Sequence, residues 1–298
     1  MEYHNPVLLK DSIDALAIKP AGIYVDVTFG GGGHSREILS RLGSEGRLFA
    51  FDQDPDAQQN TIDDPRFVLI AENFRFITRF LKFYRVEKVD GILGDFGVSS
   101  HQFDAAARGF STRFDADLDM RMDQKGTLSA KKIINKYPEE MLSDVLFQYG
   151  ELRNARVLAS TIVAAREESE IATSFQLKEV LKLHLPTAKE HKILAQIFQA
   201  IRIEVNQELE VLKEFLMQTP DLLKEDGRLS FISYHSLEDR LVKRFIRTGL
   251  FEGEPEKDVF GNFTVPLKKV GKLIVPKNKE IKENNRARSA KLRIATLK

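Results

Sequence analysis

Four consecutive glycines, Gly30 to Gly33, restrict the fold of this chain more than any other feature of its sequence. They follow an apolar segment at 23–29 that predicts a strand, and they precede a segment at 34–42 with the apolar spacing of a helix. Glycine has no Cβ, so it adopts positive φ and lets a ligand come close to the backbone. A strand, a glycine turn and a helix in this order are typical of a doubly wound α/β sheet, which binds ligands at the carboxyl ends of its strands.

The first hundred residues continue this alternation. Further strands are predicted at 47–52, 66–71 and 89–95, with helical segments at 55–61 and 74–83. Strands that alternate with helices form a parallel sheet covered by helices on both faces. The pattern returns near the end of the chain, where strands are predicted at 228–234, 270–275 and 291–296 and a helix at 237–247.

A block without strand signals, residues 103–212, interrupts the α/β pattern. It opens with a polar loop at 108–123, and its apolar spacing then predicts helices at 138–149, 152–166 and 191–217. Another helix is predicted after a capping box formed by Thr173 and Gln176. We therefore predict a core made of residues 1–102 and 213–298 with an inserted helical domain at 103–212. The polar stretch at 277–285 is predicted to be a mobile loop.

The composition excludes several classes of protein. The absence of cysteine excludes disulfides, thiolate nucleophiles and cysteine-ligated metal sites. The six histidines form no metal-binding motif, so we expect no dedicated metal site. No apolar run approaches the roughly 20 residues that span a bilayer. The first residues do not resemble a signal peptide, so a cytoplasmic protein without a membrane partner is expected.

Positive charge is concentrated at the end of the chain. Residues 268–298 contain 11 Lys or Arg and two Glu, a net charge of +9 in a chain whose total is +1. The rest of the chain therefore carries −8. A basic segment on an acidic body could bind a phosphate backbone. A segment that only increases solubility fits the charge equally well.

Two aspartates follow predicted strands. Asp52 ends the second strand, where a carboxylate can accept hydrogen bonds from both hydroxyls of an adenosine ribose. Nicotinamide dinucleotide sites use the same arrangement, so Asp52 indicates an adenosine cofactor without identifying it. Asp95 ends the fourth strand, where methyltransferases that modify amino groups often carry an acidic or amide residue. The order of the glycine turn, Asp52 and Asp95 favours a methyltransferase over a dehydrogenase.

Seven segments of the chain resemble, in the same order, those of the bacterial small-subunit ribosomal RNA (cytosine-N4)-methyltransferase family (RsmH/MraW). They begin near the start of the chain and end near its last residue, and they read TFGGGGHS, DFGVSS, RGFS, LDMRMD, FQAIRI, YHSLEDR and NRARS. The resemblance implies a Rossmann-like S-adenosylmethionine methyltransferase core of α/β class with an inserted α-helical domain that binds the substrate.

The resemblance also implies a set of functional residues. It implies that S-adenosylmethionine contacts Gly32, Gly33, His34, Asp52, Phe74, Asp95 and Gln102. Without the family, Phe74 would be interpreted as a core residue and Gln102 as an ordinary loop residue. The implied reaction is methyl transfer to the N4 amino group of a cytidine in the decoding region of 16S ribosomal RNA, either free or in the assembled small subunit. A homodimer is suggested by analogy only.

The chemistry of this reaction requires a well-placed acceptor. The lone pair of the cytosine N4 amine is delocalised into the ring, so the amine is a poor nucleophile. A carboxylate that accepts a hydrogen bond from N4 would favour the positive charge of the transition state. We assign this catalytic role to Asp95, although Asp95 could instead serve mainly to bind the cofactor. His235 is an alternative general base, but its position also suits a helix cap.

Several charged residues have both a functional and a structural interpretation. Five arginines are candidates for phosphate contacts, and each alone is more readily explained as a surface or structural residue: Arg108, Arg113, Arg121, Arg286 and Arg288. The loop at 108–123 is predicted to cover the site, and its Asp119 and Asp123 are predicted ion-pair partners of Arg121. Three other functions stay open at this point: a non-catalytic RNA-binding factor, a nicotinamide-dependent oxidoreductase, and a methyltransferase acting on another RNA, a protein or a small molecule.

Overall fold

The computed structural model describes residues 6–258, 260 and 263–298, apart from the side chains of residues 100, 101 and 106. The chain divides into two compact units. The first unit comprises Met1–Gly97 and Leu209–Lys298, and the second comprises Val98–Glu208. The boundaries at residues 98 and 208 lie within five residues of those predicted for the insert, 103 and 212.

The first unit is built on one sheet, which has seven strands among the described residues. The strands are β1 Ile23–Asp26, β2 Arg47–Phe51, β3 Phe67–Ile70, β4 Val89–Asp95, β5 Leu223–Ser233, β6 Leu267–Ile274 and β7 Lys291–Leu297. Their order across the sheet is β3-β2-β1-β4-β5-β7-β6. Strands β1 to β5 pair in parallel, and β7 is antiparallel to β5 and β6. The doubly wound α/β fold is therefore confirmed.

Helices cover both faces of this sheet. They are α1 Leu9–Ala15, α2 Gly33–Arg41, α3 Ile77–Phe83, α10 Glu208–Leu222, α11 Ser236–Thr248 and α12 Asn278–Glu283. Successive strand residues point to opposite faces. Val25 accordingly packs in a cluster with α3, α10 and α11, whereas its neighbour Tyr24 packs with α1 and α2. This double burial explains why the central residues of β1 to β4 are mostly apolar.

The second unit is helical. Its helices are α4 Ser100–Asp104, α5 Ala130–Lys136, α6 Glu139–Gln148, α7 Ala155–Glu168, α8 Ser174–Leu181 and α9 Glu190–Asn206. They enclose a separate apolar core that includes Leu146, Leu158 and Ile201. Helix α8 begins at the predicted capping box, in which Thr173 accepts from the backbone N–H of Gln176. A role of this unit in substrate binding stays a prediction.

The prediction of a single helix at 191–217 is wrong. Two helices, α9 and α10, occupy this stretch, and they are separated by Gln207 in the left-handed region at φ 50°. The reason is tertiary. The Asn206 amide donates to the carbonyl of Met120 and accepts from the N–H of Met122, at 2.8 and 2.7 Å. These contacts hold the end of α9 against the loop that precedes α5, a pairing that no local pattern encodes.

Three other segments differ from the sequence prediction. The stretch at 277–285 is not a mobile loop, because it contains α12, whose Glu280 accepts a 2.6 Å hydrogen bond from the N–H of Leu8. The predicted helix at 55–61 is a 3₁₀ helix, Pro55–Asn60, and the one at 74–83 begins with a 3₁₀ turn, Phe74–Phe76. In the described part of the chain, none of the helices combines the length and the apolar character needed to cross a membrane.

Candidate active site

Three aspartates of the first unit lie at the carboxyl edge of the sheet. Strands β1 and β4 end at Asp26 and Asp95, and Asp52 directly follows β2. Because these parallel strands are neighbours, their carboxyl ends lie side by side. The backbone N–H of Asp95 donates to Oγ1 of Thr28 at 2.6 Å, so β4 is tied to the residue that leads into the glycine turn.

Asp26 stabilises the glycine turn through hydrogen bonds to residues on either side of it. Its carboxylate is fully buried and accepts from the backbone N–H of Thr28 at 3.1 Å and from the Ser35 hydroxyl at 2.7 Å. These two donors lie on opposite sides of the four glycines. Burial raises the pKa of Asp26 to about 6, and the hydrogen bonds oppose that rise.

Gly32 and Gly33 lie where the backbone approaches other parts of the protein. Gly32 caps α2 with φ at 75°, and a Cβ there would lie 2.9 Å from the Phe29 ring. A Cβ on Gly33 would lie 2.2 Å from Cγ of Pro6. Both positions therefore require glycine for the packing of the protein itself, in addition to any ligand.

The Asp52 carboxylate is hydrogen-bonded to the same glycine turn. Oδ2 accepts from the N–H of Gly30 at 2.8 Å, and Oδ1 accepts from the N–H of Asp54 at 2.9 Å. Each carboxylate oxygen has a second lone pair, so the group has the capacity to accept two ribose hydroxyls as well. Burial raises the pKa of Asp52 to about 6. The residue is thus positioned by the backbone that surrounds it.

Asp95 is held by a residue to which the sequence analysis gave no role. The Tyr234 hydroxyl donates a 2.7 Å hydrogen bond to Oδ1 of Asp95. The Asp95 side chain is 22% exposed to solvent. Burial raises the pKa of Asp95 to about 7, the hydrogen bond from Tyr234 lowers it, and the charges of Asp26 and Glu238 raise it further. A carboxylate with these properties can change its protonation near neutral pH.

His34 lies on the other side of Asp95. Its Nδ1 is 3.9 Å from Oδ2 of Asp95, and its Nε2 is 3.3 Å from the carbonyl oxygen of Val7. A carbonyl only accepts, so the ring proton of this hydrogen bond belongs on Nε2. Burial lowers the pKa of His34 to about 4, so the imidazole is neutral at physiological pH.

The other two predicted cofactor residues lie in different settings. Phe74 follows β3 and is half-buried, with its ring 5.2 Å from that of Phe215 and 6.1 Å from that of Phe96. Gln102 belongs to the second unit, where its side chain accepts from the N–H of Ser99 at 3.0 Å. The first unit therefore brings together Gly32, Gly33, His34, Asp52 and Asp95, with Phe74 after a strand that ends at the same edge.

His235 is the N-cap of α11. Its Nδ1 accepts from the N–H of Glu238, while Oε2 of Glu238 accepts from the N–H groups of Tyr234 and His235 at 2.9 and 3.4 Å. This arrangement is a capping box. It supports the structural interpretation of His235 over a role as general base, because the ring nitrogen that would take a proton already accepts one hydrogen bond.

Two of the five candidate arginines are used within the second unit. Arg121 forms the predicted pair with Asp119 at 2.6 Å. Arg108 is buried and donates to the carbonyl of Arg121 at 2.8 Å. Arg113 and Arg288 are exposed and Arg286 is half-buried, so these three fit a phosphate contact better.

The sequence could have indicated the position of Tyr234 beside Asp95 only if the order of the strands in the sheet had been known. Tyr234 directly follows β5, which pairs in parallel with β4 so that Ile232 lies opposite Asp95. A residue just after β5 therefore lies beside the end of β4. The sequence predicted both strands but could not show that they are neighbours.

Comparison with known proteins assigns the chain to a family. The model of the MraW methylase family matches residues 1–298. Proteins named ribosomal RNA small subunit methyltransferase H are similar to this chain over nearly its whole length. That of Christiangramia forsetii is 68% identical over 295 residues, which cover 99% of this chain and 98% of the relative. Those of Flavobacterium johnsoniae and Bacteroides fragilis are 68% and 54% identical over 295 and 297 residues, and the alignments cover 99% of this chain and 98% of each relative. This chain therefore belongs to the MraW methylase family.

Proposed function

We propose that this protein transfers a methyl group from S-adenosylmethionine to the N4 amino group of a cytidine in the decoding region of small-subunit ribosomal RNA. The names of its relatives support the class of substrate. The observation that carries the proposal is the carboxylate of Asp95, partly exposed at the carboxyl edge of the sheet and held there by Tyr234.

The residues of the first unit fit the cofactor. Asp52 has acceptor capacity for the two ribose hydroxyls, and the Gly30 to Gly33 turn brings backbone close to the same edge. Phe74 presents a half-buried aromatic ring in the 3₁₀ turn that follows β3, which suits an adenine. When bound, the cofactor supplies an electrophilic methyl group on a sulfonium. Its positive charge matches the carboxylates of Asp26, Asp52 and Asp95.

Asp95 would act on the amine. One of its oxygens is occupied by the Tyr234 hydroxyl, which leaves Oδ2 to accept a hydrogen bond from N4 of the cytosine. This acceptor localises the lone pair of the amine, and its negative charge favours the positive charge that develops on nitrogen. The same hydrogen bond from Tyr234 fixes the direction of the carboxylate, which is the positioning that such a reaction requires.

The substrate is a small-subunit ribosomal RNA, either free or in the assembled subunit, and the site of action is the cytoplasm. The helical unit, Val98–Glu208, would contribute to binding of that substrate. A methyl acceptor in another RNA or in a protein is the second candidate, because the chemistry of Asp95 suits other amines as well. The homodimer stays a prediction by analogy.

The test is methyl transfer from labelled S-adenosylmethionine to small ribosomal subunits isolated from cells that lack this activity. The RNA is then digested and the modified nucleoside is identified by mass spectrometry. We expect label in N4-methylcytidine with the intact protein and with the exposed control Asp63→Ala, and its loss with Asp95→Ala. Tight cofactor binding without label in any RNA would overturn the proposal that the substrate is an RNA.

A further inference from the structure

The net positive charge of this protein comes from one segment. Residues 268–298 carry a net charge of +9. The rest of the first unit holds 19 Lys and Arg against 26 Asp and Glu, a net charge of −7. The second unit holds 15 against 16, a net charge of −1. Net charge therefore favours contact of an RNA backbone with the C-terminal segment over the rest of either unit.

The lysines of β6 have a structural explanation. This strand lies at the edge of the sheet and exposes Lys268, Lys269 and Lys272. Lysines and an irregular register both protect an exposed edge against pairing with other chains, and β6 has such an irregularity between Val270 and Ile274. These three lysines therefore do not by themselves indicate a ligand.

The lysines around α12 do not have that explanation. Lys277, Lys279 and Lys282 are exposed, and none of them forms an ion pair with a residue that the structure describes. Lys277 is the N-cap of α12 and Lys279 lies in its first turn. Cations are disfavoured at the amino end of a helix, so helix stability does not account for these two positions.

The α12 segment is also anchored beside the candidate active site. Glu280 accepts from the N–H of Leu8. Burial raises the pKa of Tyr234 well above its usual value, and the charges of Asp95, Glu238 and Glu280 raise it further. The following residues Ala287 and Ala290 pack in one apolar cluster with Val7, and Tyr234 packs against the same cluster. Tyr234 in turn holds Asp95. The exposed lysines therefore belong to a segment whose Glu280 is hydrogen-bonded to Leu8, and Leu8 belongs to the apolar cluster against which Tyr234 packs.

We propose that Lys277, Lys279 and Lys282 bind the RNA phosphates that flank the target cytidine. This inference rests on the proposed function, because the target base must leave its stack to reach Asp95, and the backbone on either side of it must then pass close to the site. Single-stranded nucleic acid carries one negative charge per nucleotide, so three lysines on one short segment match a few consecutive phosphates. The contact is electrostatic and independent of base identity.

The test compares two triple variants with the same change in net charge. One replaces Lys277, Lys279 and Lys282 by Gln, which retains helix propensity in α12. The control replaces Lys10, Lys82 and Lys243 by Gln, three exposed lysines of the first unit outside the C-terminal segment. The dissociation constant for full-length 16S ribosomal RNA transcribed in vitro is measured between 50 and 300 mM KCl, together with the affinity for S-adenosylmethionine and the melting temperature.

We expect the slope of log K against log [KCl] to become shallower by about 2 in the α12 triple variant, since each lost phosphate contact removes about 0.7 to 0.9. We also expect RNA binding at 0.15 M KCl to weaken by about tenfold or more, with cofactor affinity and melting temperature unchanged. The control should keep the slope of the unmodified protein. Equal slopes and affinities for both triple variants would overturn the inference, even if methyl transfer occurs. A loss confined to the α12 variant in a protein that methylates no RNA would instead overturn only the proposed reaction.

Discussion

The Tyr234 hydroxyl donates to Oδ1 of Asp95 across 2.7 Å, so two residues 139 positions apart in the sequence form a hydrogen-bonded pair at the carboxyl edge of the sheet. A hydrogen bond of this kind favours the ionised carboxylate. Burial and the charges of Asp26 and Glu238 work against ionisation, and these effects together place the pKa of Asp95 at about 7. Tyr234 is therefore expected to determine both the direction and the charge of the proposed acceptor.

The first prediction concerns the pH dependence of methyl transfer. In the proposed mechanism the carboxylate form of Asp95 is the active form, so kcat/KM should fall as the pH drops through about 7. Tyr234→Phe removes a hydrogen bond to a charged group, and its net contribution of about 1.5–3 kcal/mol corresponds to a rise in the pKa of Asp95 by at least about one unit. The acidic limb of the profile should move to higher pH by that amount.

The pKa change can also be measured without a substrate. Carbon-13 NMR of the Asp95 carboxyl should report the same upward shift in Tyr234→Phe. Tyr84→Phe is the matched control, since the Tyr84 ring packs against Phe49 and Phe83 away from Asp95. A Tyr234→Phe protein with an unchanged Asp95 titration would show that the hydroxyl does not support the ionised state.

A second prediction separates the two roles proposed for Asp95. Asp95→Asn keeps the shape of the side chain and removes its charge. If Asp95 accepts from the amine, kcat should fall by roughly 10²–10³ with little change in cofactor affinity, as for the loss of other preorganised electrostatic groups. Isothermal titration with S-adenosylmethionine and single-turnover kinetics measure the two effects. A large loss of cofactor affinity at near-normal kcat would assign Asp95 to the cofactor instead.

The third prediction concerns Asp52. Asp52→Asn replaces one acceptor oxygen by an NH₂ donor, so one of the two bound N–H groups loses its acceptor, and so does a ribose hydroxyl that donates to that oxygen. We expect the dissociation constant of S-adenosylmethionine to rise by about 10- to 100-fold, the equivalent of one hydrogen bond to a charged group. Because burial raises the pKa of Asp52 to about 6, cofactor affinity of the unmodified protein should also decrease as the pH falls below about 6. Unchanged affinity in Asp52→Asn, with Asp63→Asn as the exposed control, would contradict a ribose contact.

The fourth prediction tests the contact between Gly33 and Pro6. Gly33→Ala would place a methyl group 2.2 Å from Cγ of Pro6, and overpacking of this kind costs about 1–3 kcal/mol of unfolding free energy. Pro6→Ala removes Cγ and opens the space. In that background Gly33→Ala should be neutral or stabilising, since alanine is the better helix residue by about 1 kcal/mol and Gly33 begins α2.

Urea unfolding of the two single variants and the double variant measures this coupling. Additive effects in the three proteins would mean that Pro6 does not occupy the space beside Gly33 in solution. The same variants, assayed for cofactor binding, would show whether glycine at position 33 is needed by the ligand or only by the packing of Pro6.

Local sequence patterns were sufficient for most of the first unit. Strand β4 has the predicted bounds, and β1, β2 and β3 begin within one residue of the predicted positions and end one to three residues earlier. The reason is that parallel strands buried on both faces are short apolar runs bounded by turn residues, which is a local property. The candidate residues Asp52 and Asp95 could be found for the same reason, because each directly follows or ends such a run.

Contacts between distant segments decided the rest. The break between α9 and α10 depends on the hydrogen bonds of Asn206 to the backbone of Met120 and Met122. The position of α12 depends on the hydrogen bond from Leu8 to Glu280. Neither partner is visible in a local pattern. The sequence by itself determined the fold class, the glycine turn and the acidic strand ends, because these depend on residue type and short-range spacing. Only the tertiary structure placed β5 beside β4 and so brought Tyr234 to Asp95, because strand order is set by the packing of the whole sheet.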